Sequence, residues 1–200
     1  MTGIDVSHWN GVIDWPKAFA DGVTWAYIKV SQGTTVDNMA LANINGARMA
    51  GIQPFGYVFV APGDGTAAVN LFNSICADHE LAGVLDCETA GIETALGLWI
   101  PARDSKPTLA YYGIYPPFTV PKTLYNLPRI LPEYADEPRL PAWDGVSVPD
   151  WSKEWLVWQS SEKGTFAGET GDFDLDTLAP GVSEARFWAW CKGASLFTTP

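Results

Sequence analysis

GVLDCE, residues 83–88, is a short apolar run that ends in two acids separated by one residue. Side chains alternate between the two faces of a strand, so Asp86 and Glu88 are predicted to point the same way, roughly 6–7 Å apart at about 3.3 Å of rise per residue. Two carboxyl groups at this spacing suit the cleavage of a glycosidic bond, in which one protonates the leaving oxygen and the other faces the sugar carbon. Because the pattern also arises by chance, two solvated acids at a strand exit remain the alternative.

The composition indicates a folded protein with one core. The chain has 200 residues, of which 47% are hydrophobic and 18% are charged. This length suits a single domain over residues 1–200. Ten tryptophans and seven tyrosines supply either core material or flat platforms on which sugar rings stack, and composition does not separate these two uses.

The charge balance argues against several function classes. A formal net charge of −11 disfavours binding to nucleic acid and to anionic membranes, since both depend on basic patches. No run of about 18 apolar residues is present, so no membrane insertion is expected. The three cysteines, Cys76, Cys87 and Cys191, are widely spaced and odd in number. This pattern favours reduced thiols over a disulfide framework or a metal site.

The first part of the chain alternates between strand-like and helix-like segments. Strands are predicted at residues 3–7, 25–30, 55–60, 81–88 and 108–112, and helices from residue 14 and at residues 37–50, 66–78 and 92–99. Such alternation is typical of parallel strands joined by helical crossovers.

The rhythm changes after Gly113. Residues 114–138 are rich in proline and predict a long irregular loop with one helical turn near residues 122–126. Further strands are predicted at residues 139–143, 155–159 and 171–175, followed by a closing helix at residues 183–192. Eight strands, the first five of them parallel, predict an α/β fold: a modified TIM-like barrel in a single domain.

Four acids are expected to meet at one end of this barrel. Function in such barrels collects at the carboxyl ends of the strands. Asp5, Asp86, Glu88 and Asp174 all lie at or near such ends, so acids from three separate strands would converge on one mouth. Asp176 faces the same side as Asp174 by strand alternation, and alternation alone does not choose between them.

Six short motifs, spread along most of the chain, carry a family resemblance. They read GIDVSHWNG (3–11), AYIKVSQG (26–33), FGYVF (55–59), LDCE (85–88), VWQ (157–159) and GDFDLD (171–176). Together, and in this order, they resemble the glycoside hydrolase family 25 lysozymes, which are N-acetylmuramidases of the Chalaropsis type and are common among phage endolysins.

The resemblance implies a modified barrel of eight strands and five helices that cleaves the β-1,4 bond between N-acetylmuramic acid and N-acetylglucosamine in bacterial peptidoglycan, with no cofactor and no metal. By position, Glu88 resembles the general acid and Asp86 the second acid of that motif. Asp5 and Asp174 match the acids of the first and last strands, which stabilise or orient. The resemblance also implies retention of configuration through the substrate's own N-acetyl group, although the estimated spacing fits inversion as well.

Other residues are matched to the sugar groove by the same motifs. They are Tyr57, either Tyr111 or Tyr112, Trp158, Gln159 and His8. Trp158 serves either barrel packing or substrate contact. His8, in the first loop, either touches substrate or only holds the loop.

The chain departs from the family pattern in three places. Pro141 lies within the predicted sixth strand, which implies an edge or a bulge there. Residues 91–106 are short for the family, and the loop at residues 114–138 has no family counterpart. These departures bear on groove shape and substrate choice more than on the chemistry.

The expected chemistry depends on how four neighbouring acids share protons. Like charges raise one another's pKa, so the most enclosed acid should keep its proton. Glu88 is predicted to be that acid, while Asp86 and Asp174 stay ionised. A catalytically weak or inactive barrel that serves as a cell-wall-binding or virion structural module is the alternative from another class. A related glycosidase acting on another N-acetylated glycan is a third hypothesis.

The expected setting follows from the same resemblance. No basic region followed by an apolar stretch is visible at the N-terminus, so no signal peptide is expected. We expect a monomer that is made in the host cytoplasm and acts on the bacterial cell wall after holin-type release.

Overall fold

The computed structural model describes residues 1–103, 106–113, 116–132, 155–164 and 173–192. Its strands are β1 (Thr2–Val6), β2 (Val23–Gln32), β3 (Thr35–Val36), β4 (Gln53–Phe59), β5 (Gly83–Asp86), β6 (Thr108–Tyr111), β7 (Arg129–Pro132), β8 (Trp155–Gly164) and β9 (Phe173–Leu178). Its α-helices are α1 (Trp15–Ala20), α2 (Ala40–Met49), α3 (Thr66–Asp78), α4 (Glu93–Ala102) and α5 (Glu184–Cys191). Short 3-10 helices cover His8–Asn10 and Lys122–Asn126.

Eight strands close into a barrel, in the order β1-β2-β4-β5-β6-β7-β8-β9, and β9 returns to β1. The seven strands from β1 to β8, leaving out β3, pair in parallel, while β9 runs antiparallel to both of its neighbours. The two-residue β3 only folds back on the end of β2. The predicted eight-stranded α/β barrel with five helices is therefore confirmed.

Two apolar layers hold the barrel together. One lies between the strands and the surrounding helices, and it includes Ile4, Ile28, Phe72 and Trp99. The other fills the barrel interior with aromatic rings. Phe187 of α5 completes this inner layer, with its ring 5.1 Å from that of Trp25 and 5.9 Å from that of Phe55. Because both partners lie near the starts of their strands, α5 covers the amino-terminal end of the barrel.

Local signals account for most helix boundaries. The helix predicted at residues 66–78 is observed with these bounds as α3, although Gly65, and not Thr66, takes the capping position. Asp14 caps α1 by accepting a hydrogen bond from the backbone N–H of Lys17 at 3.2 Å. Gly51, which adopts a positive φ of 85°, follows α2, as glycine commonly does at a helix C-terminus.

The sixth barrel strand lies elsewhere than predicted. It is β7, which pairs with β6 on one side and β8 on the other, so it falls inside the segment 114–138 that was predicted to be a loop. Its sequence, RILP, follows Pro128 and ends in Pro132. Two prolines so close together are typical of a loop. The strand predicted at residues 139–143 lies outside the described residues.

The direction of the last strand also differs from the prediction. Asp174 is the second residue of β9, not the end of a parallel strand. It still reaches the mouth because β9 is antiparallel, which brings its first residues beside the last residues of β1. Within the described part of the chain, no helix is long and apolar enough to cross a membrane.

Candidate active site

A cavity of about 300 Å³ opens at the mouth of the barrel. Five carboxyl groups line it, from Asp5, Asp86, Glu88, Glu162 and Asp174. The four acids predicted from the sequence are thus brought together. Asp86 and Glu88 both face this cavity, as the shared direction predicted for their side chains implies.

Two strands on one side of the mouth hold the first pair of acids. Asp5 is the fourth residue of β1, and the register places it directly opposite Asp174 of β9. Opposed residues of antiparallel strands have Cα atoms about 4.5–5.5 Å apart, so the two carboxyl groups lie side by side. Asp176 is fully buried deeper in the barrel and does not line the cavity, which resolves the choice that strand alternation left open.

The second pair lies on the far side of the mouth. Asp86 is the last residue of β5, and Glu88 follows two residues later. In the closed sheet β2 and β4 separate β5 from β1. The two pairs of carboxyl groups therefore face each other across the cavity.

Burial keeps the inner acids from ionising easily. It raises the pKa of Asp5 well above its usual range, the nearby Asp174 carboxylate raises it further, and a hydrogen bond from Tyr57 acts in the opposite direction. Burial also raises the pKa of Asp86, with further increases from the charges of Glu88 and Asp5. Desolvation is the first cause in both cases, as expected for carboxyl groups set into a barrel wall.

Glu88 is not the most enclosed acid, so that prediction is wrong. Its side chain is exposed, whereas Asp5, Asp86 and Asp174 are half-buried. Partial desolvation still raises the pKa of Glu88, while a hydrogen bond with Asp86 and the charge of Lys29 lower it. The hydrogen bond between the two groups raises the pKa of Asp86 and lowers that of Glu88, which lies on the solvent side. The expectation that Asp86 stays ionised does not fit its raised pKa.

Asp174 titrates closer to neutral pH than a free aspartate does. Burial, followed by the charges of Glu162 and Glu88, raises its pKa to about 6. The ionisation of this group therefore changes around pH 6.

Three of the predicted groove residues line the cavity: Tyr57, Tyr111 and Gln159. The Tyr111 hydroxyl donates to Gln159 Oε1 at 2.8 Å, which ties β6 to β8 across β7. Burial raises the pKa of Tyr57, so its hydroxyl keeps its proton and can donate it to Asp5. Both tyrosines present polar atoms and ring surface to the cavity.

Tyr112 and Trp158 do not lie in the cavity. Tyr112 is 1% exposed and points into the layer between strands and helices, where the Arg129 guanidinium lies 4.4 Å from its ring centre. It follows Tyr111 and so faces the opposite side of the sheet. Trp158 packs against Leu131 and Ala179, as the packing alternative predicted.

His8 contacts the segment that leads into α2. Its Nδ1 lies 2.6 Å from Asp37 Oδ2, and its backbone N–H donates to the same oxygen at 3.2 Å. The side chain lines a separate cavity next to the acids.

Sequence reasoning missed four polar or aromatic residues that line the cavity: Tyr27, Lys29, Phe59 and Glu162. Lys29 lies two residues after Tyr27 on β2, so strand alternation could have identified it. Glu162 could not be found in this way, because the register of β8 shifts on either side of Ser161 and an irregular strand does not keep the period of two.

Comparison with known proteins agrees with this geometry. The family model described as "Glycosyl hydrolases family 25" matches residues 4–105, which is just over half of the chain and includes three of the four predicted acids. This chain belongs to glycosyl hydrolase family 25. The resemblance carried by the six motifs is therefore confirmed.

Relatives of this family 25 chain include two lysozymes. It is 34% identical to Lysozyme M1 of Streptomyces globisporus, over 87% of this chain and 66% of that protein. It is 27% identical to the autolytic lysozyme of Clostridium acetobutylicum, over 91% of this chain and 57% of that protein. The chain thus spans slightly less than two thirds of the length of the first relative and over half of the second.

Solved structures share the fold. The bacterial lysozyme from Streptomyces coelicolor superposes with a TM-score of 0.72 at 24% identity, covering 96% of both chains. The CTP1L endolysin gives a TM-score of 0.74 at 21% identity, covering 96% of this chain and 69% of that one. At these identities the likeness supports the barrel architecture.

Proposed function

We propose that this family 25 chain is a peptidoglycan hydrolase that cleaves the β-1,4 bond between N-acetylmuramic acid and N-acetylglucosamine. The observation that carries the proposal is the open cavity in which two pairs of carboxyl groups face each other across the barrel mouth. Glycosidic cleavage needs one proton donor and one carboxylate on opposite sides of the sugar carbon.

Glu88 is the general acid in this proposal. It is hydrogen-bonded to Asp86 and is the exposed member of the pair, so it is the one that can reach a glycosidic oxygen. A bound glycan would remove more water from Glu88 and raise its pKa further, because desolvation disfavours the charged form. When the leaving oxygen takes the proton of Glu88, the hydrogen bond between the two carboxyl groups lets the proton of Asp86 pass to Glu88.

In this proposal Asp174 stabilises the positive charge that develops on the sugar carbon, and Asp5 lies beside it. As the bond breaks, the sugar carbon becomes oxocarbenium-like, and an ionised Asp174 across the cavity would stabilise it or orient the substrate's N-acetyl group. Tyr57 hydrogen-bonds to Asp5 and holds it beside Asp174. Tyr111 and Gln159 would bind the sugar through the hydroxyl and amide groups that they present to the cavity.

The test is the substitution Glu88→Gln. We expect the rate of turbidity loss in a peptidoglycan suspension to fall on the order of 10²–10⁴-fold, the usual contribution of a general acid. Glu184→Gln is the matched control, because it makes the same chemical change at the exposed start of α5, at the closed end of the barrel. Mass spectrometry of the released fragments identifies the bond that is cut.

Two outcomes would contradict the proposal. Clearing by Glu88→Gln at the wild-type rate would remove Glu88 from the role of general acid. Wild-type protein that sediments with peptidoglycan but never clears it would instead support a non-catalytic wall-binding barrel.

A further inference from the structure

A second cavity, of about 500 Å³, opens beside the catalytic one. It lies between the first loop, the end of β2, β3 and the segment that leads into α2. Its polar lining residues are His8, Lys29, Gln32, Thr35, Asp37 and Asn38. Lys29 also lines the catalytic cavity, so the two cavities meet at this side chain.

The two cavities differ sharply in charge. Five carboxyl groups line the catalytic cavity, but Asp37 is the only acid among the described residues of the second one. Asp37 is also engaged within the protein: its Oδ2 contacts His8, and its Oδ1 accepts from the backbone N–H of Met39 at 2.9 Å. Its side chain is 2% exposed, so its carboxyl oxygens are not available for contact with a ligand.

Lys29 supplies the positive charge at the boundary. It is the single lysine or arginine among the described residues that line either cavity. Its ammonium group donates to Gln32 Oε1 at 3.1 Å and lies 5.5 Å from the centre of the Phe59 ring, which fixes it between the two cavities. Beyond it, Gln32, Thr35 and Asn38 offer amide and hydroxyl groups that match peptide N–H and C=O groups.

We propose that the second cavity binds the stem peptide of peptidoglycan, with Lys29 pairing with a carboxylate of that peptide. The inference rests on the proposed function. The stem peptide is attached through the lactyl group of the muramyl residue whose glycosidic bond would be cut, so it leaves the catalytic cavity next to the scissile bond. An anionic peptide is repelled by the ionised acids of the catalytic cavity and attracted to the side where Lys29 lies. The volume is within the range of ligand pockets.

The experiment compares two substrates that differ in the peptide and in the lactyl carboxylate that its removal exposes. Soluble glycan strands that carry stem peptides are compared with the same strands after an N-acetylmuramyl-L-alanine amidase has removed the peptides. The measured quantity is the ratio of kcat/KM on peptide-bearing strands to kcat/KM on peptide-free strands. Thr35→Trp fills the cavity from its outer wall, and Leu41→Trp, at an exposed position on α2, is the matched control.

We expect the wild-type ratio to exceed 1, Thr35→Trp to lower it at least tenfold, and Leu41→Trp to leave it unchanged. Asn38→Trp, from the same wall, gives a second reading if Thr35→Trp fails to fold. Equal losses on both substrates would indicate that the cavity holds a sugar ring, and a larger loss on the peptide-free strands would indicate that it holds the exposed lactyl carboxylate. Either result would overturn the inference. No loss on either substrate would overturn it too.

Failure of the inference can be told apart from failure of the proposed function. Wild-type protein that cleaves neither kind of strand contradicts the proposed function itself. Wild-type protein that cleaves both kinds with the same kcat/KM supports the proposed function and contradicts only the peptide-binding cavity.

Discussion

Asp174 has a raised pKa whose causes can be separated from one another. Its pKa of about 6 has three causes: burial, the charge of Glu162 and the charge of Glu88. Burial is built into the fold, and Glu88 belongs to the proposed catalytic pair. Glu162 is exposed on β8. Its charge can therefore be removed by substitution without changing the burial of Asp174 or the proposed catalytic pair.

We therefore predict that Glu162→Gln shifts the acidic limb of the pH–activity profile to lower pH. If Asp174 acts as a carboxylate, kcat/KM rises with pH as this group ionises near pH 6. Removing the Glu162 charge lowers the pKa of Asp174, so the variant should retain a larger fraction of its maximal kcat/KM at pH 5. The measurement is kcat/KM on soluble glycan strands between pH 4 and pH 8.

Glu184→Gln, at the closed end of the barrel, should leave the midpoint of the acidic limb where it is. A midpoint that moves to higher pH in Glu162→Gln would contradict the sign of the interaction. An unmoved midpoint would show that another group controls the limb.

The sequence predicted which acids meet but not how enclosed each one is. The alternation of side chains along a strand is local, so it correctly placed Asp86 and Glu88 on one face. The solvent exposure of Glu88 depends on the path of the chain after β5 ends at Asp86. No local sequence pattern predicts that path. For this reason the sequence predicts Glu88 as the most enclosed acid, whereas Asp86 is the more buried of the two in the structure.

Among the elements, β7 shows the limit of strand prediction. Arg129 opens the strand and is fully buried, with its Nε donating to the backbone carbonyl of Tyr112 at 3.1 Å. In sequence an arginine between prolines is typical of an exposed turn. Only the partner strand, which lies 17 residues away along the chain, makes this segment a barrel strand. The earlier elements, with their longer apolar runs, could be predicted from propensity alone.

Two glycines within helices give a matched test of how the helices pack. A methyl group at Gly46 in α2 would overlap the ring of Trp15, whereas no atom lies within 4 Å of the same position at Gly97 in α4. Alanine favours a helix interior by about 1 kcal/mol over glycine. We predict that Gly97→Ala raises the free energy of unfolding by up to about 1 kcal/mol, and that Gly46→Ala lowers it by about 1–3 kcal/mol through overpacking.

Urea denaturation of the two variants measures this difference directly. Equal stabilisation by both substitutions would mean that Trp15 can move away from α2 without loss. The α1–α2 contact would then contribute little to the fold.

At the scale of the whole molecule, the barrel gathers like charges that oppose folding. The net charge is −11, and burial raises the pKa of Asp5, Asp86 and Asp176 well above the usual range. The folded protein keeps these acids protonated at pH values at which the unfolded chain has already lost their protons. The free energy of unfolding therefore falls as the pH rises from the unfolded-state pKa to the folded-state pKa. Asp5 and Asp86 line the proposed site, whereas Asp176 does not, so its effect on stability can be tested separately.

Asp176 is fully buried, and neither of its carboxyl oxygens has a hydrogen-bond partner among the described residues. Burial, and then the charges of Asp5 and Asp174, raise its pKa. We predict that Asp176→Asn increases the free energy of unfolding, and that the increase is larger at pH 7 than at pH 4. Each unit by which burial raises the pKa corresponds to about 1.4 kcal/mol of destabilisation above the folded-state pKa, and this penalty vanishes below the unfolded-state pKa.

Denaturation curves at pH 4 and pH 7 for wild type, Asp176→Asn and Asp78→Asn distinguish this effect from a general loss of negative charge. Asp78 is exposed at the end of α3, where a surface substitution is expected to change stability by no more than about 0.5 kcal/mol. A gain in Asp176→Asn that is the same at both pH values would mean that the amide makes better contacts, with no charge penalty removed. A loss at pH 7 would mean that the buried Asp176 carboxyl group stabilises the barrel and would contradict the charge penalty proposed for it.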